Sequence, residues 1–452
     1  MVIFTDYHYF HYQQFANFSV KSSLFNIQMK ESKYNYCVRY NGKFAFFNGR
    51  TKRFFFVSEK TRMMFADILH NPNNYAKEYC SFIDKMKNEG FILEDEDDEY
   101  KLFMDEYRRS MSPNVYKLMV LPTYRCNLSC WYCFQDHRHV DMSDETVEKI
   151  KKHIYSYLTQ NDIKRFHLSW FGGEPLLKYD IVCELTEYAK NICDDLHIIM
   201  DSGITTNSLL LTKERIERLK LFNVNYFQIT IDGTREEHNK VKVLPNKDTF
   251  TMALNNVVDI LTIIPDSRVN LRINYSSRTK HPRQIIDEIN NLIPTDLRTN
   301  IDLDIQKVWQ ENDDLIGEDP FRELLTYSKK MGFCPSVVHR GKCYVDNYHF
   351  NTVFPDGTVD ICDHEGLDVI GRAVLNDDGS IHWKEQLPCF KYSIDKENII
   401  CNGCRHLPLC YGPCPAKRNE YLSIGALQEC PYDDIDEAIE RDIVNFININ
   451  HK

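Results

Sequence analysis

Seven of the sixteen cysteines in this 452-residue chain fall into two tight groups, Cys126, Cys130 and Cys133, then Cys401, Cys404, Cys410 and Cys414. Thiols at such spacing cross-link, hold metal or do chemistry. Disulfides persist in oxidising compartments, and the N-terminus, MVIFTDYHYF, lacks the basic stretch and apolar run of a secretory signal. A cytoplasmic setting is expected, where clustered cysteines ligate metal or catalyse. No apolar run approaches the roughly 18 residues of a membrane span. With 55 Lys plus Arg against 66 Asp plus Glu, the net charge of −11 argues against partnership with nucleic acid or an anionic membrane. A chain this long, 43% hydrophobic and 27% charged, divides into two or three folded domains.

The first 110 residues or so read as a small α+β unit. Lys33–Tyr40 and Lys43–Phe47 flank Asn41-Gly42, a strong hairpin signal. Arg53–Val57 is a third strand, Ser58 caps a helix carrying Met63, Met64, Phe65, Ile68 and Leu69, and a second helix, Tyr75–Glu89, stops at Gly90. The acidic run Glu94–Glu99 is expected as a solvated turn between short strands at Phe91–Leu93 and Tyr100–Leu102. This order resembles a winged-helix unit.

From Tyr116 the pattern becomes strand–helix alternation. Strands are expected at Lys117–Leu121, Phe166–Phe171, Ile198–Thr206, Tyr226–Ile231, Val269–Asn274 and Ile301–Val308, with helices headed by Ser143 and Thr212 between them. Such βα units build a parallel sheet, and six are too few to close an eight-stranded barrel, so an open partial barrel is predicted. Beyond residue 334 the chain reads as loop-rich up to a polar helix from about Asp434, whose acidic start, Asp433–Glu440, is expected as a solvated face.

Cys126-x3-Cys130-x2-Cys133 directly follows the first barrel strand, the end at which barrel active sites sit. Three thiolates hold three irons of a cubane cluster and leave the fourth open to a small chelating molecule; a redox Cys-x2-Cys or a trio of core cysteines is the plainer reading. Gly172-Gly173-Glu174-Pro175 ends the second strand, where glycines let backbone approach a ligand. Thr205-Thr206-Asn207-Ser208 and Thr230-Ile231-Asp232-Gly233 end the next two. Polar groups at successive strand ends suit a ligand with ribose and amino-acid parts.

On these residues, with the aromatic Tyr132, the stretch 117–310 resembles the radical S-adenosylmethionine enzymes. The resemblance implies a partial (β/α)6 TIM barrel and a [4Fe–4S] cluster on Cys126, Cys130 and Cys133. The open iron takes the amino and carboxylate groups of S-adenosylmethionine, and the backbone of Gly172, Gly173 and Glu174 supports its methionine end. Contacts to ribose or carboxylate map to Asn207, Ser208, Asp232 and Lys242. Relatives usually carry arginine at the last position, and an ammonium cannot make the bidentate fork.

The remaining cysteines extend the resemblance. Cys343, Gly357 and Cys362 precede Cys401-x2-Cys404-x5-Cys410-x3-Cys414 and Cys430, a pattern similar to the SPASM extension of that family, which holds two auxiliary [4Fe–4S] clusters. By resemblance Cys343, Cys362 and Cys414 ligate the first and Cys401, Cys404, Cys410 and Cys430 the second; a Cys₄ zinc site is the plainer alternative. Cys334 is the candidate fourth ligand of the first cluster. Closed by Cys334, that cluster is an electron acceptor; with an open iron it binds a substrate thiolate and favours thioether chemistry. Asp363, after Cys362 and before His364, matches the position of a catalytic base in anaerobic sulfatase-maturating enzymes. Cys37, Cys80, Cys183, Cys193 and Cys389 are expected to be ordinary core or surface residues.

Together these imply three regions: a winged-helix-like domain at 1–112 that recognises a leader sequence, a radical S-adenosylmethionine barrel at 113–333, and a loop-rich SPASM domain at 334–452. The implied activity is maturation of a ribosomally made precursor peptide. A 5′-deoxyadenosyl radical cross-links its residues through a thioether or carbon–carbon bond, with electrons from a flavodoxin- or ferredoxin-type donor. The alternatives are a sulfatase-type maturase making formylglycine and a non-catalytic iron–sulfur electron carrier or sensor.

Overall fold

The computed structural model describes residues 28–111, 113–276, 279–308, 320–336, 343–363, 373–383, 400–414, 430 and 435–451. His364, Cys389, Asp433 and Asp434 lie outside the described residues. The chain forms two compact units, one of 1–110, 339–342 and 392–452, the other of 111–338 and 343–391. Residues 334–452, expected as one region, are thus shared between the two.

In the first unit, β1 (Met29–Glu31) pairs antiparallel with a distant strand, while β2 (Asn35–Tyr40), β3 (Lys43–Asn48) and β4 (Phe54–Val57) form a three-stranded antiparallel sheet. The β2–β3 turn is Asn41-Gly42 with φ of 45° and 76°, the left-handed pair that a tight hairpin demands. One face of the sheet buries Phe44, Phe46, Phe55 and Val57 under Ile68, Leu69, Ile83 and Met86. These come from the Ser58-capped helix Glu59–His70 and from Cys80–Asn88. The second helix is shorter than expected, starting only at Cys80, because Pro72–Tyr75 forms a separate short helix and residues 76–79 turn between the two.

Strand β5 (Ile92–Glu94) pairs with β1. Its expected partner, Tyr100–Leu102, is instead the start of a helix, Glu99–Ser110. Asp98 Oδ1 accepts from Lys101 N (3.0 Å), and Phe103, Met104 and Tyr107 are buried at helical spacing. The acidic run is not wholly solvated either: Glu99 is 7% exposed, accepting from the Ser32 hydroxyl and from Lys33 N (2.9 Å). The C-terminal helix, Ile435–Asn450, is amphipathic rather than polar. Ile439, Ile443 and Ile447 bury against Tyr36, Val38, Ala45, Phe47 and Phe56 on the other face of the sheet. Both faces of β2–β3–β4 are therefore covered, and β2 and β4 are its outer strands.

The second unit is built on a parallel sheet. Strands β6 (Val115–Val120), β7 (Arg165–Trp170), β8 (Ile199–Thr206), β9 (Val224–Ile231), β10 (Arg268–Tyr275) and β11 (Ile301–Lys307) pair in sequence order. Helices intervene throughout, which gives the six expected βα units and the α/β architecture of a partial TIM barrel. Alternate residues such as Leu118, Leu168, Phe227, Leu271 and Leu303 are buried, whereas Lys117, His167, Gln228, Arg272 and Asp304 are not. One face is packed and the other stays polar and partly open.

The sheet continues past six strands in segments expected as loop. Strand β12 (Cys334–Ser336) adds parallel to β11, and β13 (His349–Val353) adds parallel to β6 at the other side. Strands β14 (Thr358–Asp360), β15 (Ala373–Leu375) and β16 (Ile381–His382) follow as an antiparallel run.

Candidate active site

The first cysteine group lies on the loop after β6, and the base of that loop is clamped. Tyr124 N bonds Val140 O (3.1 Å), Met142 N bonds Pro122 O (2.9 Å), and the Thr123 hydroxyl donates to Asp141 Oδ1 (2.6 Å). Leu121 and Tyr124 are buried with Phe354. Within the loop, Cys133 N bonds Cys130 O (3.0 Å), a turn that brings these two cysteines together.

The glycine turn after β7 locks onto this loop. Gly173 N bonds Thr123 O (3.1 Å) and Glu174 N bonds Arg125 O (2.8 Å). Gly172 has φ of +112°, and a Cβ on Gly173 would lie 2.1 Å from Arg125 O, so the approach requires glycine. The Glu174 side chain points inward. Fully buried, it accepts from Leu176 N (3.0 Å), the Thr206 hydroxyl (2.7 Å) and Asn207 N (2.8 Å). Burial pushes its carboxyl above the ordinary value, and these hydrogen bonds oppose the rise. Glu174 thus ties the ends of β7 and β8 together.

Each thiol of the group has a nitrogen neighbour. Asn207 Nδ2 lies 3.8 Å from Cys126 Sγ and 2.7 Å from Asn127 Oδ1, Lys242 Nζ lies 3.8 Å from Cys130 Sγ, and His137 Nε2 lies 3.3 Å from Cys133 Sγ. Burial pushes the Cys126 thiol up to about 11, with further contributions from Glu174, Cys130 and Cys133 nearby. Among the described residues no three His, Cys, Asp or Glu side chains converge to single-ion distances. The donor set nevertheless fits a thiolate-bound cluster, since N–H groups aimed at sulfur are what such a cluster uses to stabilise its charge. Ser208 Oγ, buried at the end of β8 with φ of +66°, has no hydrogen-bond partner among the described residues.

Asp232, at the end of β9, is 6% exposed and bonds in several directions. Its Oδ1 accepts from the Tyr132 hydroxyl (2.5 Å) and Asn274 Nδ2 (3.2 Å), and its Oδ2 pairs with Lys242 Nζ (2.7 Å). Burial alone would raise its carboxyl; Lys242 and then His238 hold it below the ordinary range. Burial likewise would lower the Lys242 ammonium, yet Asp232 keeps it well above its usual value. A cavity of about 170 Å³ adjoins this network, lined in part by Trp131, Tyr132, Asp232, Asn274, Ser276 and Val308. Of the expected ligand contacts, Asn207 and Lys242 face the thiols, Asp232 fixes Tyr132, and the Glu174 side chain is used within the fold, its expected contact being through the backbone. The roles of Asn127, His137 and Asn274 had no signal beyond proximity in sequence to a cysteine or to a strand end.

The remaining candidate cysteines fall in both units. In the first unit, Cys404 N bonds Cys401 O (3.1 Å), His406 N bonds Cys404 Sγ (3.3 Å), and Cys410 N bonds His406 O (2.8 Å). Tyr36 OH donates to Arg405 O (2.8 Å), and Lys52 Nζ to Pro408 O (2.8 Å), which fastens this segment to the N-terminal sheet. Cys430 is near enough to Cys404 to raise its thiol, after burial. Cys414 is exposed. In the second unit, the Tyr344 hydroxyl donates to Asp363 Oδ1 and lies 3.9 Å from Cys362 Sγ. Burial and then the Asp363 carboxylate raise the Tyr344 phenol well above its usual value. Cys343 begins the turn that holds Tyr344. Cys334 is exposed on β12, in register with Asp302 near the start of β11.

Residues 120–293 match the Radical SAM superfamily, and the chain contains a radical S-adenosylmethionine domain over that stretch. Among curated relatives it is 21% identical over 282 residues to the radical SAM cyclopropyl synthase TigE of Paramaledivibacter caminithermalis, covering 52% of this chain and 58% of that protein. It is 28% identical over 161 residues to a probable GTP 3',8-cyclase of Methanococcus maripaludis, covering 34% and 48%. The chain thus spans about half the length of the curated relatives it matches. In structure it shares the fold of native anSMEcpe with bound AdoMet and Kp18Cys peptide, with a TM-score of 0.52 at 16% identity, over 74% of this chain and 100% of that one. No described helix is long and apolar enough to cross a membrane.

Proposed function

We propose that the protein is a radical S-adenosylmethionine peptide maturase. The observation that supports this most is the clamped Cys126–Cys133 loop, with a nitrogen neighbour at each sulfur and the glycine turn locked beneath it. A [4Fe–4S] cluster held by these three cysteines would supply reductive cleavage of S-adenosylmethionine to a 5′-deoxyadenosyl radical. Around it this chain's residues bind and orient: Asn207, Ser208 and Asp232 at the strand ends and the backbone of Gly172, Gly173 and Glu174, with Lys242, just past the helix Arg235–Val241, beside Cys130. The SPASM-like pattern adds two auxiliary [4Fe–4S] clusters, on Cys343, Cys362 and Cys414 and on Cys401, Cys404, Cys410 and Cys430, with Cys334 as a candidate further ligand. A flavodoxin- or ferredoxin-type protein supplies electrons.

The substrate in this reading is a ribosomally made precursor peptide, and 1–112 recognise its leader. With both faces of β2–β3–β4 covered, an added strand at an outer edge is the mode of peptide capture left to that sheet. The sulfatase-type reading keeps its interest because the anSMEcpe fold was seen with AdoMet and a peptide and because Asp363 follows Cys362; there Asp363 is the base, and the Tyr344 hydroxyl donates to it. The test is anaerobic reconstitution with dithionite, S-adenosylmethionine and a short peptide encoded beside this gene. A mass change in the peptide together with 5′-deoxyadenosine is expected. Turnover only on a Cys- or Ser-containing sulfatase segment would favour the rival, and no 5′-deoxyadenosine in any mixture would leave an iron–sulfur carrier or sensor.

A further inference from the structure

We infer that Lys242 is a positioning residue that tunes the cluster on Cys126, Cys130 and Cys133, rather than a contact to its small-molecule ligand. The inference rests on the cluster assignment above. Lys242 Nζ donates to the Tyr132 hydroxyl at 3.1 Å and to Cys130 Sγ at 3.8 Å, and it forms an ion pair with Asp232 Oδ2 at 2.7 Å. These contacts turn the ammonium toward the thiol of Cys130 and the carboxylate of Asp232.

The backbone that carries the side chain is pinned at both of its polar groups. Lys242 N bonds His238 O (2.7 Å), and its carbonyl takes the Thr249 hydroxyl (2.8 Å). Its partner is fixed as firmly. Asp232 holds Tyr132 and Asn274 through Oδ1, and its backbone N donates to His238 Nδ1 (3.1 Å). Lysine is 3% and Asp232 6% exposed, so water screens the pair little. The network links the ends of β9 and β10 to the loop between Cys130 and Cys133.

A cation with its N–H directed at a ligating sulfur stabilises the more negative, reduced form of a cluster and raises its potential. Lys242 would therefore ease the entry of the electron that starts the chemistry, and Tyr132 would be held in place by the same pair.

The experiment is a redox titration, followed by electron paramagnetic resonance, of reconstituted full-length protein without S-adenosylmethionine. The signal followed is the one abolished by Cys126, Cys130 and Cys133→Ala together. Lys242→Met should lower the ratio of reduced to oxidised cluster about tenfold at fixed potential, which is about 59 mV for one electron. Lys242→Arg, which keeps the charge, should stay close to wild type. Lys242→Met with Asp232→Asn removes the pair without stranding a buried carboxylate and should still lower the potential, so the test survives if the single variant folds poorly. An unshifted potential in iron-replete variants, with S-adenosylmethionine affinity down tenfold or more, would overturn the inference and return Lys242 to the ligand. A wild-type protein with no signal dependent on Cys126, Cys130 and Cys133 would instead refute the cluster assignment itself.

Discussion

Buried polar residues organise the barrel unit, and two of them make opposite demands on the solvent. Glu174 stays buried because three donors converge on it. Gly-Gly-Glu-Pro was legible as a turn at a strand end, but the inward aim of the glutamate was not, because only the third dimension brings Thr206 and Asn207 beside it. Asp363 was legible as a candidate base, whereas Tyr344, which occupies its carboxylate, lies nineteen residues upstream with no motif to connect them. His153 is the second such residue. Its Nδ1–H donates to Gly379 O (2.9 Å) and its Nε2 accepts from the Tyr116 hydroxyl (2.7 Å). Burial lowers its pKa to about 4, against the pull of the Gly379 carbonyl. The unfolded chain, with a His pKa of about 6.5, therefore binds a proton that the native protein refuses between these two values. The stabilisation is complete above about pH 6.5 and is lost as pH falls towards 4, about 3 kcal/mol in all. Denaturant unfolding from pH 4 to 8 should show a shallower pH dependence in His153→Gln than in wild type. Identical slopes would mean that His153 does not titrate as its burial implies.

Elements with a clean period were legible, and those whose partner lies far along the chain were not. The six parallel strands fall where alternating apolar runs placed them, within a few residues at each end, and the Asn41-Gly42 hairpin forms as its turn residues require. Tyr100–Leu102 reads as a strand only if the Asp98 cap and the Phe103, Met104, Tyr107 spacing are overlooked. Strands β12 to β16 are two to five residues long, too short for periodicity to show, and exist because the barrel edges offer unpaired backbone. The C-terminal helix looked polar because its acidic start masks the Ile439, Ile443, Ile447 stripe. That stripe covers one face of the N-terminal sheet. Ile443→Ala should cost about 2–5 kcal/mol and speed hydrogen exchange in β2, β3 and β4. Unchanged protection in those strands would show that the helix does not hold the sheet.

At the scale of the whole molecule, the chain order and the spatial grouping differ. The N-terminal sheet and the segment 400–451 belong to one compact unit, although more than 280 residues of barrel and loops separate them in sequence. Composition and local pattern hold no record of such a pairing, since the contacts are between apolar faces that each look ordinary alone. The cysteine spacing is the one local pattern that makes a proposal at this scale, because a cluster would need its ligands at fixed positions whatever surrounds them. Three four-iron clusters would bring about 12 iron atoms per chain after anaerobic reconstitution. The measurement that bears most directly on the proposed chemistry is 5′-deoxyadenosine formation from S-adenosylmethionine and dithionite, in wild type and in Cys126, Cys130 and Cys133→Ala together, with iron counted in both. The variant should lose about four irons and all cleavage while its auxiliary iron remains; cleavage at the wild-type rate in that variant would contradict the assignment of the first cysteine group.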